Sequence, residues 1–296
     1  MALSRRAFLA AAAASRLAAQ PKARTGPLIC LYSRLLPEVE YSDMAPILSG
    51  MGFDGCDLSV QQGGTVEPFQ ISVDLVRAVE VFQGRGLEVP LITTTFVNAT
   101  EPWARNVLYI TGGTGVPFFR GGYWRFPGAR LVEMKAQIVG LASVGRAYNM
   151  AMGVPNTAGE AVIGDLDPKW VGWDFDPSQA TPDLPLEKAM PRVKMFILRD
   201  ARRQNSQLTP CPLGEGIVDW GKFFDTIAHA KFSGPLTLQS DYPASDRVEA
   251  IRKDLDFARK HLNDAYQKVI NSATSSQPSA GPSVSSPTPE PRPQPR

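Results

Sequence analysis

The feature that most constrains this chain is a repeated alternation. Between residues 27 and 270, short apolar runs of strand length alternate with longer stretches of helical period. The runs fall at 27–32, 55–60, 89–93, 116–120, 151–154, 170–175, 193–198 and 235–239. The helical stretches follow them at 43–50, 73–85, 103–110, 129–148, 158–164, 186–190, 220–231 and 246–270. A continuous apolar run bounded by turn residues is the pattern of a strand covered on both faces. Parallel neighbours need a crossover connection, which a helix supplies. Eight such units in the roughly 250 residues that a closed barrel takes predict an α/β chain, a (β/α)8 TIM barrel over residues 26–271. An open, doubly wound sheet competes with this reading. Neither a Gly-x-Gly-x-x-Gly turn nor a Walker-type phosphate loop follows the first strand, which counts against it.

Helical periodicity also predicts which faces are buried. In 73–85 the stripe is Val73, Val76, Val79 and Phe82; in 129–148 it is Leu131, Met134, Ile138, Leu141 and Val144; in 220–231 it is Phe223, Phe224 and Ile227. The cysteines are Cys30, Cys56 and Cys211, an odd number that makes no disulfide framework. Buried free thiols are expected.

The two ends read differently from the middle. Ser4-Arg5-Arg6-Ala7-Phe8-Leu9, an alanine run to Ala14 and small residues at Ala18-Ala19 have the layout of an export signal over residues 1–19. The paired arginines resemble the twin-arginine class, so a periplasmic or secreted location is expected. Residues 272–296 are rich in Ser and Pro, carry little to bury, and are expected to be a disordered tail. The chain holds 31 Lys and Arg against 29 Asp and Glu; removing Arg5, Arg6 and Arg16 leaves 28 bases and a net charge of −1. That balance gives no footprint for a nucleic acid. Beyond the N-terminus no apolar run reaches the roughly 20 residues that span a bilayer.

A barrel of this kind places its chemistry at the carboxyl ends of the strands. The polar residues predicted there are Asp57 after strand two, Arg120 with Trp124 after strand four, Asn156 after strand five, Asp176 and Gln179 after strand six, Arg199 after strand seven, and Gln239 with Asp241 after strand eight. Amides, carboxylates, arginines and an aromatic face suit a small polyhydroxylated ligand, a carbohydrate. Histidine is scarce: His229 and His261 both fall in helical stretches. A Ser-His-Asp triad and a histidine-rich metal site are therefore excluded.

Several segments resemble the xylose isomerase-like barrels, the sugar phosphate isomerase/epimerase relatives. They are GFDGCDLSV at 52–60 followed by Gly63-Gly64, GLEVPLITT at 86–94, FFRGGYWRF at 118–126, DPKWVG at 167–172, PLGEGIVDW at 212–220 and FSGPLTL at 232–238. The resemblance implies a sugar isomerase or epimerase with a divalent metal held by a glutamate on strand five, an aspartate on strand six, a histidine on strand seven and a glutamate on strand eight. Paired carboxylates would shuttle a proton between neighbouring carbons. Asp176 matches the strand-six aspartate, and Asp241 stands for the strand-eight glutamate. The strand-five position falls near Pro155 and the strand-seven position near Ile197, while Gln179, Gln239, Thr65 and Thr157 stand where relatives show histidine. The resemblance thus implies Asp176 and Asp241 as the catalytic pair and as a weak Mg or Mn site, while the strand-end reading gives Asp57, Arg120, Trp124, Asn156, Gln179, Arg199 and Gln239 as the residues binding sugar. A non-catalytic carbohydrate-binding barrel is the alternative.

Overall fold

In the computed structural model, which describes residues 26–122, 130–205 and 207–275, the eight apolar runs are eight parallel strands of one closed barrel. The first seven are β1 (Ile29–Tyr32), β2 (Gly55–Ser59), β3 (Glu88–Thr93), β4 (Phe118–Arg120), β5 (Ala151–Pro155), β6 (Val171–Phe175) and β7 (Val193–Leu198). An antiparallel hairpin, β8 (Asp200–Gln204) and β9 (Gln207–Cys211), then intervenes before the last barrel strand, β10 (Leu236–Leu238). β1 closes the ring by pairing with β2 on one side and β10 on the other. The helices are α1 (Tyr41–Met51), α2 (Ile71–Gln83), α3 (Ala104–Gly113), α4 (Leu131–Ala147), α5 (Glu160–Ile163), α6 (Leu186–Ala189), α7 (Trp220–His229) and α8 (Arg247–Ser275). No helix among the described residues is long and apolar enough to cross a membrane.

Alternation along the strands sorts the side chains into two layers. Cys56 and Leu58 of β2, Phe119 of β4, and Trp173 and Phe175 of β6 join the apolar layer between sheet and helices. Their sequence neighbours Asp57, Arg120 and Asp174 therefore face the barrel axis, and all three are buried. The outer layer drives the fold; the inner one carries charge.

The helices follow their sequence signals with three corrections, the first in α4, where Leu131 of the expected stripe is 46% exposed while Ile138, Leu141 and Val144 are buried. α2 begins at Ile71 and buries Ile71, Leu75, Ala78, Val79 and Phe82. Val73 is 64% exposed and Val76 37%, so the expected stripe is rotated. The Ile71-Leu75-Val79-Phe82 row has the larger side chains and wins the core. α8 continues to Ser275, past residue 272 where the tail was expected to begin. The rest of that tail and the expected export signal lie outside the described residues. α7 buries Phe223, Phe224 and Ile227 as its period requires. α1 stops at Gly52, whose φ of 91° is in the left-handed region open to glycine, and whose N–H bonds back to the Leu48 carbonyl. Cys30, Cys56 and Cys211 are free and buried, as expected. His229 is exposed on α7, and His261 stacks on Phe224 from α8.

Candidate functional site

Two charged clusters lie along the axis, one inside the barrel and one at its mouth. The inner cluster is built by register. Arg120 ends β4 and pairs across the sheet with Gly153 of β5. A side chain on Gly153 would meet Met195 at 2.9 Å and Asp174 at 3.2 Å, so glycine leaves a clear path over β5. Arg120 uses that path to grip Asp174 on β6 with a two-pronged fork, Nε to Oδ2 at 2.6 Å and Nη2 to Oδ1 at 3.0 Å. Its Nη1 turns the other way and donates to Asp57 Oδ2 at 2.8 Å. Thr93 Oγ1 donates to Asp57 Oδ1 at 2.6 Å. Burial pushes the carboxyls of both Asp57 and Asp174 above the ordinary aspartate value, and the Arg120 charge opposes that without cancelling it. The like charge of Asp57 pushes the Asp174 carboxyl up further, and one guanidinium serves both acids.

The mouth cluster is built on Asp176, just past β6, with a side chain only 3% exposed. Its Oδ1 accepts from Ser178 N at 2.9 Å and Ser178 Oγ at 2.6 Å. Its Oδ2 accepts from Gln179 Nε2 at 2.8 Å and from Arg199 Nη2. The Asn156 side chain fixes the backbone beneath: Asp176 N donates to its Oδ1 at 3.0 Å, while its Nδ2 donates to the Asp176 carbonyl at 3.1 Å and the Gln179 carbonyl at 3.2 Å. Arg199 reaches in the other direction as well, placing Nη1 3.3 Å from Asp241 Oδ2. Asp241 is 42% exposed and Arg199 17%, so this edge of the cluster meets solvent.

The structure therefore brings Asp176 and Asp241 together, but around a guanidinium. Both oxygens of Asp176 are taken by protein donors, and Asp241 faces the same arginine. Among the described residues no group of three His, Cys, Asp or Glu side chains is arranged to hold a metal. Residues 123–129, which are not described, contain none of those four types. The divalent metal expected from the resemblance does not fit this donor set. Of the residues expected to touch a ligand, Asp57 and Arg120 are sealed in the inner cluster, below the mouth, because they pair with Asp174 and Thr93 there. Asn156 spends its amide on the backbone of residues 176 and 179. Gln179, Arg199 and Asp241 reach the mouth, Gln239 lies beside them with 9% exposure, and Trp124 is outside the described residues.

Asp174, Thr93 and Ser178 stand at strand ends in the sequence but are not among the expected site residues, although a strand of period two puts Asp174 on the same face as Asp176. Asp200, also at a strand end, is fully buried at the base of the hairpin. Its carboxylate accepts from Trp220 Nε1 at 2.8 Å and from the backbone N–H groups of Gly214 at 3.0 Å, Gly216 at 3.1 Å and Val218 at 3.3 Å. Asp254 of α8 performs a similar tie, accepting from Leu213 N at 3.1 Å and Ser240 Oγ at 2.5 Å. These two acids hold the wall of the mouth that follows β7 and β10.

No family model matches the chain and no curated protein matches it. Solved structures do. A xylose isomerase domain protein from Planctomyces limnophilus superposes with a TM-score of 0.65 at 15% identity, covering 84% of this chain and 100% of that one. The D-allulose 3-epimerase from Methylomonas sp. in complex with D-allulose gives 0.62 at 13% identity, covering 80% and 98%. The IOLI protein with a binding zinc atom gives 0.63 at 14% identity, covering 81% and 98%. The fold of this chain, a closed (β/α)8 TIM barrel, is the fold that these solved structures share.

Proposed function

We propose that the chain binds a small carbohydrate at the barrel mouth, outside the cytoplasm, without using a divalent metal and without isomerising its ligand. One observation carries this reading: the two acids that would serve a metal-assisted proton shuttle are both tied to Arg199. Both oxygens of Asp176 are filled by four protein donors, so this acid offers no free acceptor to a substrate proton. The mouth keeps what binding needs. Gln179, Gln239 and the outer edge of Asp241 offer amide and carboxylate groups to sugar hydroxyls, on a scaffold locked by Asn156 and Ser178. A structure of the same fold in complex with D-allulose supports the choice of ligand class. The arginine pair and apolar run of residues 1–19 support export by the twin-arginine route.

The test is a thermal-shift and calorimetric screen of the full chain against ketoses and aldoses, with and without EDTA. One sugar is expected to bind, with an affinity that chelation leaves unchanged. No product is expected by NMR after incubation with Mn2+. Stoichiometric Mn, Co or Zn in the purified protein, or turnover of any sugar, would overturn the reading.

A further inference from the structure

We propose that Arg199 is the resident cation of the mouth: it holds Asp176 and Asp241 in a divalent ion's stead, so that removing it converts the acid pair into a cation site. This rests on the metal-free reading of the mouth given above.

The placement comes from the barrel order. β7 lies between β6 and β10 in the closed sheet. Asp176 follows β6, Arg199 follows β7 and Asp241 follows β10, so the positive group emerges between the two negative ones. Its two terminal nitrogens divide the work, Nη2 to Asp176 and Nη1 to Asp241. Asp176 is the group that needs a cation. Its side chain is 3% exposed, and its other described partners, Ser178 and Gln179, are neutral. Taking away the one charged partner of a buried carboxylate leaves that group uncompensated. Asp241 supplies the access: at 42% exposure it stands on the solvent side, where an ion and its waters can enter.

The choice of guanidinium has chemical consequences. It is charged at every working pH, cannot be chelated, and takes two carboxylates in fixed directions. It has no empty orbital with which to polarise a carbonyl as a metal does, so it can organise the mouth without the chemistry a metal adds. Two carboxylates with water can hold a hard cation weakly once the arginine is gone.

The experiment compares the wild type, Arg199→Ala and Arg199→Ala/Asp176→Asn, all treated with chelator and then titrated with Mn2+ or Ca2+. No sugar is present, so failure to find a carbohydrate ligand and failure of this proposal are separate results. Arg199→Ala is expected to lose roughly 5–10 °C of Tm and to regain at least half of it at millimolar cation. The wild type and the double variant are expected to gain nothing. Electron paramagnetic resonance should show Mn2+ held by Arg199→Ala alone. If Arg199→Ala does not accumulate, Arg199→Gln takes the same measurements, and Arg199→Lys should stay indifferent to cations. Cation binding by the wild type, or indifference of both uncharged variants to about 10 mM cation, would overturn the proposal.

Discussion

A single guanidinium facing two carboxylates in a space closed to water cannot neutralise both, and the inner cluster has to be understood from that imbalance. Arg120, Asp57 and Asp174 are 4%, 0% and 1% exposed. Burial raises the proton affinity of both acids in the folded state above the ordinary value of 3.8. The folded chain then binds protons more tightly than the unfolded one, so this contribution favours folding at low pH and is lost as pH rises above 3.8 through the folded carboxyls' higher values. Asp57→Asn removes one of the two titrations. Its stability relative to wild type should therefore improve as pH rises above about 4, as read by urea unfolding; parallel curves for the two proteins would refute this. Arg120→Ala does the reverse, leaving two acids with no cation. It should cost about 3–5 kcal/mol at neutral pH and less in acid, where the carboxyls take up protons. An acid-independent loss would mean that Arg120 acts by packing alone.

The hairpin shows how one residue can organise an element. β8 and β9 expose Arg202, Arg203, Gln204, Gln207 and Thr209, and have little apolar surface of their own to bury. Such a two-stranded ribbon is marginal by itself. Asp200 anchors it at the base through Trp220 and the backbone of residues 214–218. Asp200→Ala would leave those donors unsatisfied in a buried place. Trypsin should then cut at Arg202 and Arg203 at least tenfold faster, a rise in local opening of about 1.4 kcal/mol, while the barrel's circular dichroism is retained. Unchanged cleavage would show that the hairpin stands without the anchor. The same element marks the limit of sequence reading. DARRQ and QLTPC have no clean alternation, so nothing in their pattern announces two strands, whereas the barrel strands are apolar runs that the outer core demands. The mouth was legible in the same uneven way. The strand ends put Asp176, Arg199 and Asp241 at one mouth, but the strand pattern does not show that Arg199 lies between the two acids. Asp57 and Arg120 were placed at the right strands and the wrong depth, because a strand pattern fixes the face of a side chain and not its height along the axis.

At the scale of the whole molecule, the thiols, the charge and the expected leader bear on one question, the order of folding and export. All three cysteines are free and buried, and burial pushes the thiols of Cys30 and Cys56 well above their ordinary value. The barrel thus needs no oxidation to complete its core and can form in a reducing compartment. Parallel strands close through contacts distant in sequence, Ile29 against Leu236 among them, so the ring is finished only when nearly the whole domain is present. A route that moves folded proteins suits such a chain. The Arg5-Arg6 pair is the element to change. In a bacterial host with twin-arginine export, the wild type should appear in the periplasm with its N-terminus cut near Ala19. Arg5→Lys/Arg6→Lys should remain in the cytoplasm, uncut, yet folded and as resistant to protease in its barrel as the exported form. Export of the double-lysine variant at an undiminished rate would refute the twin-arginine assignment. A retained variant that is degraded as unfolded chain would refute the claim that folding comes first.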